Sequence, residues 1–526
     1  MPLNASLFQQ RLEAWRRSSD RHIFRDIQIG LEREALRVDA EAGLSHASHP
    51  AALGSPLTHP HITTDYSEVM IELVTPPDTL EASYAFLENL HRYVYEHLGE
   101  ERLWCGSMPC VIAGDPDIPL AYYGESNPGR MKTIYRRGLG YRYTRSMQVI
   151  SGVHFNCSMP AEFWRQEFDG QLDPDKISER YFDALRNLLR FGWLIAYLFG
   201  ASPAICRSFV LQKHESLDLF TPGTYYGPDA TSLRQGSIGY QNSQETSTGV
   251  HADYNSRTGY IECLREAAAT PCPQYQEIGV RRDGEYLQLN ANQLQIENEY
   301  YSSVRPKCVP QGNEKPSRGL RQRGVEYLEL RSLDIDPFEP CGIGPDTMRF
   351  LTALVVYCLL DDSPKMSMSE QAGTDSNMQQ VAHHGRNPEV ILRRGEGEEI
   401  PLRNWVDNLL ADIRPICELL DEAHGQTMFR QAWEVQEAKL RDPARTPSGR
   451  MVSQMGESGE AYVEWVLKRS QEHREFFGDR PPDPELRSRF DQVAEQSRQQ
   501  QKAIEEAERE SPPSFEDYLT AYEAQA

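Results

Sequence analysis

From Gln28 to Val38 the chain reads QIGLEREALRV. Taken as an extended strand, it places Ile27, Ile29 and Leu31 on one face and Gln28, Glu32 and Glu34 on the other. A lone pair of carboxylates at this spacing is what a solvated sheet face looks like. The same spacing also lets two acids share a divalent cation or hold two neighbouring ones. Repetition along the chain separates the two readings.

SEVMIELVTP repeats the pattern, with Val69, Ile71 and Leu73 alternating with Glu68, Met70 and Glu72, and Pro76 and Pro77 closing the run. The His-, Pro-, Ser- and Gly-rich stretch 43–64 reads as a loop that delivers Asp65 to the start of that strand. In VISGVHFNCSMP, Val153, Phe155 and Cys157 point one way and His154, Asn156 and Ser158 the other. Residues 285–306 start as a strand and carry Glu297, Glu299 and Tyr301 at spacing two. In VEYLELRSLDIDPF, Leu328 and Leu330 alternate with Tyr327, Glu329 and Arg331, so an acid and an arginine share a face.

Helical periodicity predicts amphipathic helices over 5–17, 82–98 and 175–200. The apolar run 191–205 is interrupted by Gly200 and Pro203 and falls short of the ~18 to 20 residues of a bilayer span, which predicts a buried helix and its exit. A basic and aromatic run, Arg130 to Arg145, is a candidate anion site. The polar, Gly-rich stretch 220–256 reads as loops around a site, with Arg234 and Tyr240 as candidate substrate contacts. From about Pro481 the chain turns rich in Glu, Gln and Arg, which predicts an exposed helix laid over the body.

Composition narrows what the acids are for. A chain of 526 residues with 55 Lys+Arg and 78 Asp+Glu carries a formal charge of −23, which argues against nucleic acid or an anionic membrane as partner. The ten cysteines form no C-x-x-C pair, which speaks against zinc and against a disulfide framework. The first residues lack a signal-peptide pattern, so a cytoplasmic setting is expected.

Several strands that each bear an acidic or cationic face demand compensating cations, because uncompensated buried carboxylates are costly. Oxygen ligands with one histidine suit Mg²⁺ or Mn²⁺, ions commonly completed by nucleotide phosphates. No Walker A sequence is present, and CGIGPDT at 341–347 reads as lacking a third glycine and the strand-then-helix context of a dinucleotide loop. ATP would therefore be held through metal and arginine. The expected fold is α+β: a curved, mostly antiparallel sheet with the active site on its concave face and helices outside, as in a glutamine synthetase-like ligase. Residues 1–526 are expected to form a single large catalytic domain, with a mainly helical region from about 365 packed on it.

GLEREALRV, LGSPLTHPHITTDYSE, SMPC at 107–110, SGVHFN, LFGASPAIC, LQIENEYY, RPK and VEYLELRSLDIDPF, in this order from about residue 25 to at least 360, resemble the proteobacterial type 1 glutamate–cysteine ligase (γ-glutamylcysteine synthetase) family. The resemblance implies an ATP-dependent enzyme for the first step of glutathione biosynthesis. In that reaction the glutamate side-chain carboxylate is phosphorylated and the amino group of L-cysteine attacks the acyl phosphate. It implies metal ligation by Glu32, Glu34, Asp65, Glu72, His154 and Glu329. Tyr135, Arg234, Tyr240 and Tyr301 would border the cysteine pocket, with Arg331 facing phosphate and Glu329 sharing the catalytic role. It implies Mg²⁺, with Mn²⁺ as alternative, and small-molecule partners ATP, L-glutamate and L-cysteine around a monomer. The residues themselves leave open a ligase for another amine, or a metal-dependent phosphohydrolase.

Overall fold

A computed structural model describes residues 6–209, 217–239, 249–510 and 513–525. A seven-stranded antiparallel sheet forms its centre. The strands are β1 (Gln28–Val38), β2 (Ile62–Thr64), β3 (Met70–Val74), β4 (Arg102–Leu103), β5 (Val153–Ser158), β6 (Val304–Lys307) and β7 (Tyr327–Leu333). Their order is β6-β7-β5-β1-β3-β2, and β4 pairs with the far end of β1. The expected α+β architecture is present, with helices packed about the sheet and a largely helical stretch from Met368 onward.

Strand β1 is central because it is long enough to serve three neighbours. Its first half pairs with β5, placing Glu32 opposite His154, and its middle pairs with β3, placing Glu34 opposite Glu72. Glu329 on β7 lies opposite Asn156 on one side and Arg305 of β6 on the other. Period-two alternation therefore brings Glu32, Glu34, Glu72 and Glu329 onto one face.

The other face is core. Ile29, Leu31 and Ala35 of β1 join Val153, Phe155 and Cys157 of β5 and Leu328 and Leu330 of β7 in one apolar cluster. Helix Pro345–Leu360 belongs to that cluster and is buried along nearly its whole length, which explains its unbroken apolar sequence. Leu31 has no exposed surface, so Leu31→Ala would remove about 2–5 kcal/mol of stability. The same parity carries two arginines to the core side. Arg37 is accommodated by Glu101, with Nη1 2.8 Å from Oε2, and Arg33 is wholly buried.

The apolar run 191–205 is a seven-residue buried helix, Trp193–Phe199, followed by Gly200 and a short strand, Ala204–Cys206. A Cβ at Gly200 would lie 2.7 Å from the Thr231 carbonyl oxygen, so glycine permits the close exit. No helix among the described residues is long and apolar enough to cross a membrane.

Four expectations differ. The strand expected within SEVMIELVTP begins only at Met70. Glu68 lies in the preceding turn, where its carboxylate accepts from the backbone N–H groups of His49 and Tyr122. The strand expected at the start of 285–306 is only a two-residue hairpin arm, Glu285–Tyr286; irregular chain with a single helical turn at Glu297–Glu299 follows before β6 begins at Val304. CGIGPDT does precede a helix directly, with Gly344 as N-cap, but the Glu339 carboxylate occupies the space beside Gly344. The single exposed helix expected from about Pro481 is two, Pro484–Glu510 and Phe515–Glu523.

Candidate active site

The site face of the sheet is roofed by the helix Asn127–Tyr143, which Ser126 caps through its hydroxyl and which Pro128 starts. Between roof and sheet lies a cavity of about 570 Å³. Glu32, Glu34, Asp65, Glu72, Tyr135, His154, Arg234, Tyr301, Glu329 and Arg331 all line it. Tyr240 lies outside the described residues. Ten of the eleven residues singled out in the sequence thus meet in one place.

Two environments divide the carboxylates. His154 Nδ1 is 2.9 Å from Glu32 Oε2 and 3.6 Å from Glu329 Oε1, and Asn156 Nδ2 donates to Glu32 Oε1 at 2.9 Å. Lys307 Nζ and Arg331 Nη1 stand 3.5 and 3.2 Å from Glu329. Burial pushes Glu329 up, but Lys307, Arg331, His154 and Arg305 outweigh it and hold its carboxyl well below the ordinary range. Burial likewise raises Glu32, and the bond and charge of His154 bring it below its ordinary value.

Glu34 and Glu72 are different. Burial and then the charge of Asp65 raise Glu34, despite His154 Nε2 at 3.8 Å. Burial and the crowding of Asp65, Glu32 and Glu34 push Glu72 far higher. These acids have too few cations of the protein's own, which is the condition under which a bound divalent ion is stabilising. Oxygen atoms of Glu32 and Glu72 and a nitrogen of His154 lie within 4.8 Å of one another, a spacing a single ion can bridge. Five of the six acids and imidazoles are hard oxygen donors, which suits Mg²⁺ or Mn²⁺.

Gly152, Arg305 and Lys307, to which the sequence alone assigned no role, complete the floor beside Arg234. Gly152 N–H donates to Glu34 Oε2 at 2.7 Å, and a Cβ at Gly152 would collide with the Arg234 guanidinium. Glycine before β5 is therefore required by the site, and the SG that precedes VHFN was its signal. Arg234 is almost fully buried and donates from Nη2 to the Arg331 carbonyl at 2.9 Å, so it holds the strand that presents Arg331. Arg305 and Lys307 alternate with Val304 and Pro306, a period-two pattern legible in VRPK. Pro306 is tolerated because β6 is an edge strand.

The basic run proves to be divided among tasks. Arg136 Nη2 is 3.4 Å from Asp65 Oδ1 and its guanidinium lies over Tyr123. Arg142 Nη1 pairs with Glu299 at 2.8 Å, both side chains without exposed surface, while Arg130 lies over Phe515. Glu297 accepts from the Ser317 N–H and hydroxyl at the start of helix Pro316–Arg323. Glu297 and Glu299 are thus structural acids, engaged by the protein itself.

A second cavity of about 460 Å³ adjoins the first and shares Tyr135, Arg136, Arg305 and Lys307 with it. Its far walls are mainly apolar, with Ile261, Leu264 and Ile296 among them. Two communicating pockets, one charged and one apolar, with cations at their junction, suit a ligand that carries phosphates on a flat apolar body.

The family model described as glutamate-cysteine ligase matches residues 12–381. The glutamate–cysteine ligase of Alcanivorax borkumensis is 43% identical over 525 residues, spanning 98% of this chain and 99% of that one. Among solved structures, the 2.0 Å crystal structure of glutamate–cysteine ligase from Francisella tularensis in complex with AMP is similar at a TM-score of 0.87 and 32% identity, covering 95% of this chain and 97% of that chain. A bifunctional glutathione synthetase from Pasteurella multocida shares the fold at a TM-score of 0.69 and 24% identity, over 88% of this chain and 54% of that chain.

Proposed function

The chain belongs to the glutamate–cysteine ligase family and is an ATP-dependent ligase making γ-glutamylcysteine, the first product of glutathione biosynthesis; from that premise we propose how its cavity carries the reaction. The observation that carries the proposal is the meeting, on adjacent strands of one sheet face, of an under-compensated acid cluster with Arg331, Arg305 and Lys307.

Glu32, Glu34, Asp65, Glu72, His154 and Glu329 would hold Mg²⁺, with Mn²⁺ as a substitute. When bound, the ion would supply positive charge against the nucleotide phosphates. The nucleotide base enters the apolar cavity, and its phosphates reach the charged one past Arg305 and Lys307. The AMP bound to the Francisella relative supports nucleotide use.

A γ-carboxylate oxygen of glutamate attacks the terminal phosphorus, the bond to the β,γ-bridging oxygen breaks, and ADP leaves. Arg331 receives the transferred group, its planar fork matching phosphoryl oxygens better than a lysine would. The cysteine amine, in a pocket bordered by Tyr135, Arg234, Tyr240 and Tyr301, attacks the acyl carbon. The C–O bond to phosphate then breaks, the amine loses a proton, and the amide forms. Glu329 acts by fixing Arg331, whose guanidinium it binds.

The whole chain works as one catalytic unit in this reading, since one apolar core runs from Phe8 to Phe490. The working unit in this reading is a monomer. ATP and a free thiol as substrates support a cytoplasmic setting.

The test is ADP release with Mg²⁺, ATP and L-glutamate, with cysteine supplied, omitted, or replaced by 2-aminobutyrate or glycine, and the product identified by mass. Cysteine-dependent ADP release with dipeptide formation is expected. Equal ADP release without any amine would make the chain a phosphohydrolase.

A further inference from the structure

We infer that the last helix of the chain, Phe515–Glu523, is a wall of the nucleotide pocket, and that Tyr522 sets how tightly a purine base is held there. The inference rests on the reading that the apolar cavity takes the nucleotide base.

Tyr522 is largely buried and lines that cavity. It reaches the cavity from a segment more than 190 residues beyond the other lining residues, the last of which is Tyr327. The helix is fastened to the cavity's rim by a set of polar contacts concentrated on 313–315. Lys315 N–H donates to Gln525 Oε1 at 3.0 Å, Lys315 Nζ donates to the Glu523 carbonyl at 2.8 Å, and Gln525 Nε2 donates to the Asn313 carbonyl at 3.0 Å. The Lys315 ammonium lies 5.5 Å from the Tyr522 ring centre, a cation–π arrangement that fixes the ring's position.

Beneath the helix, Phe515 and Tyr522 pack with Met131, Ile134, Tyr286 and Leu289 in a small apolar cluster separate from the main core. Met131 also lines the cavity, on the helix that carries Tyr135 and Arg136 to the catalytic cavity. One side of this cluster therefore faces the pocket and the other the roof of the site. A flat aromatic ring in a pocket that also presents Ile261, Leu264 and Ile296 is a surface on which a base stacks irrespective of its hydrogen-bonding edge.

The experiment compares Tyr522→Ala, Tyr522→Phe, the chain ended after Glu510, and Ile296→Ala on another wall of the same cavity. The readouts are KM for ATP, KM for glutamate and cysteine, kcat at saturating ATP, and Kd for MgADP by calorimetry. Loss of one stacking ring is expected to raise KM for ATP and Kd for MgADP about tenfold in Tyr522→Ala. Tyr522→Phe should stay near wild type, the shortened chain should be at least as impaired as Tyr522→Ala, and kcat and the two amino-acid KM values should hold. If Ile296→Ala weakens nucleotide binding and Tyr522→Ala does not, the pocket binds nucleotide and the helix has no part in it. If neither does, the nucleotide reading of the cavity fails, and the inference with it. A uniform fall in kcat with all three KM values raised would make the helix a structural clasp and overturn its assignment to the base.

Discussion

Glu34 on β1 and Glu72 on β3 are direct partners in the antiparallel register, two carboxylates set face to face with Asp65 beside them. Like charges directly opposite on a sheet are destabilising, so the arrangement persists against the fold's own interest. Glu329, two strands away from β1, is the converse case, a carboxylate held by Lys307, Arg331 and His154.

The same isosteric change should therefore act with opposite sign at the two positions. Glu72→Gln should raise stability in EDTA by on the order of 0.5–1 kcal/mol by removing like-charge repulsion. Glu329→Gln should lower it by roughly 1–3 kcal/mol, because it leaves charged donors short of an acceptor. Both should abolish turnover, and Glu72→Gln should blunt the rise in melting temperature that Mg²⁺ or Mn²⁺ gives the wild type. Thermal unfolding with EDTA and with each ion reads all of this. A destabilised Glu72→Gln whose response to Mg²⁺ is intact would take Glu72 out of the metal set.

Arg331→Lys keeps a positive charge and loses the fork. If Arg331 receives the transferred phosphoryl group, kcat should fall about 10²- to 10³-fold, the size of an effect confined to the transition state. Kd for MgADP, which lacks that group, should stay within about twofold. Calorimetry showing MgADP binding weakened in step with kcat would place Arg331 on the nucleotide's other phosphates.

Much of the site was legible because strand parity is strict. Once Glu32, Glu34, His154 and Glu329 share a period-two face, pairing the strands leaves little freedom in where they meet. The same rule says nothing certain about Glu297 and Glu299, because spacing two in a sequence does not distinguish a strand from a helical turn whose acids bind other elements. It also left Arg33 and Arg37 unread, since nothing local announces that an arginine will be taken into the core. Tyr522 could not be found this way at all: its value comes from a contact with residues about 200 positions earlier, and only the folded chain brings Lys315 to it.

Arg142 and Glu299 form an ion pair with no exposed side-chain surface, and Glu299 also accepts from the Gln295 N–H at 2.7 Å. Removing one partner of a fully buried pair leaves an uncompensated charge, typically costing 3–5 kcal/mol. Glu299→Gln should lower the unfolding free energy read from urea titration by that amount, with a lower midpoint, while the Mg²⁺-induced rise in melting temperature survives. A loss of the metal response with the urea midpoint unchanged would make Glu299 a metal ligand and not a structural acid.

Part of the acid sensitivity should trace to a histidine outside the active site. Within the loop before β2, His59 Nδ1 accepts the backbone N–H groups of His61 and Ile62 at 3.0 and 2.8 Å, which requires the neutral ring. Burial, followed by the neighbouring His61 and His49, lowers its pKa from 6.5 to about 3. In the unfolded chain the ring protonates below 6.5, whereas in the native state it does not until about 3, so the unfolded state binds more protons across that window. Stability is accordingly full above pH 6.5 and declines as pH falls. Between pH 7 and pH 5 the His59 share of that loss is on the order of 2 kcal/mol. Asparagine offers an oxygen in the place of Nδ1 and does not titrate. His59→Asn should therefore match the wild type near pH 7 and lose about 2 kcal/mol less on acidification to pH 5, read from urea unfolding at the two pH values. An identical loss in both proteins would show that His59 already carries its proton when folded, and that the loop before β2 tolerates the charge.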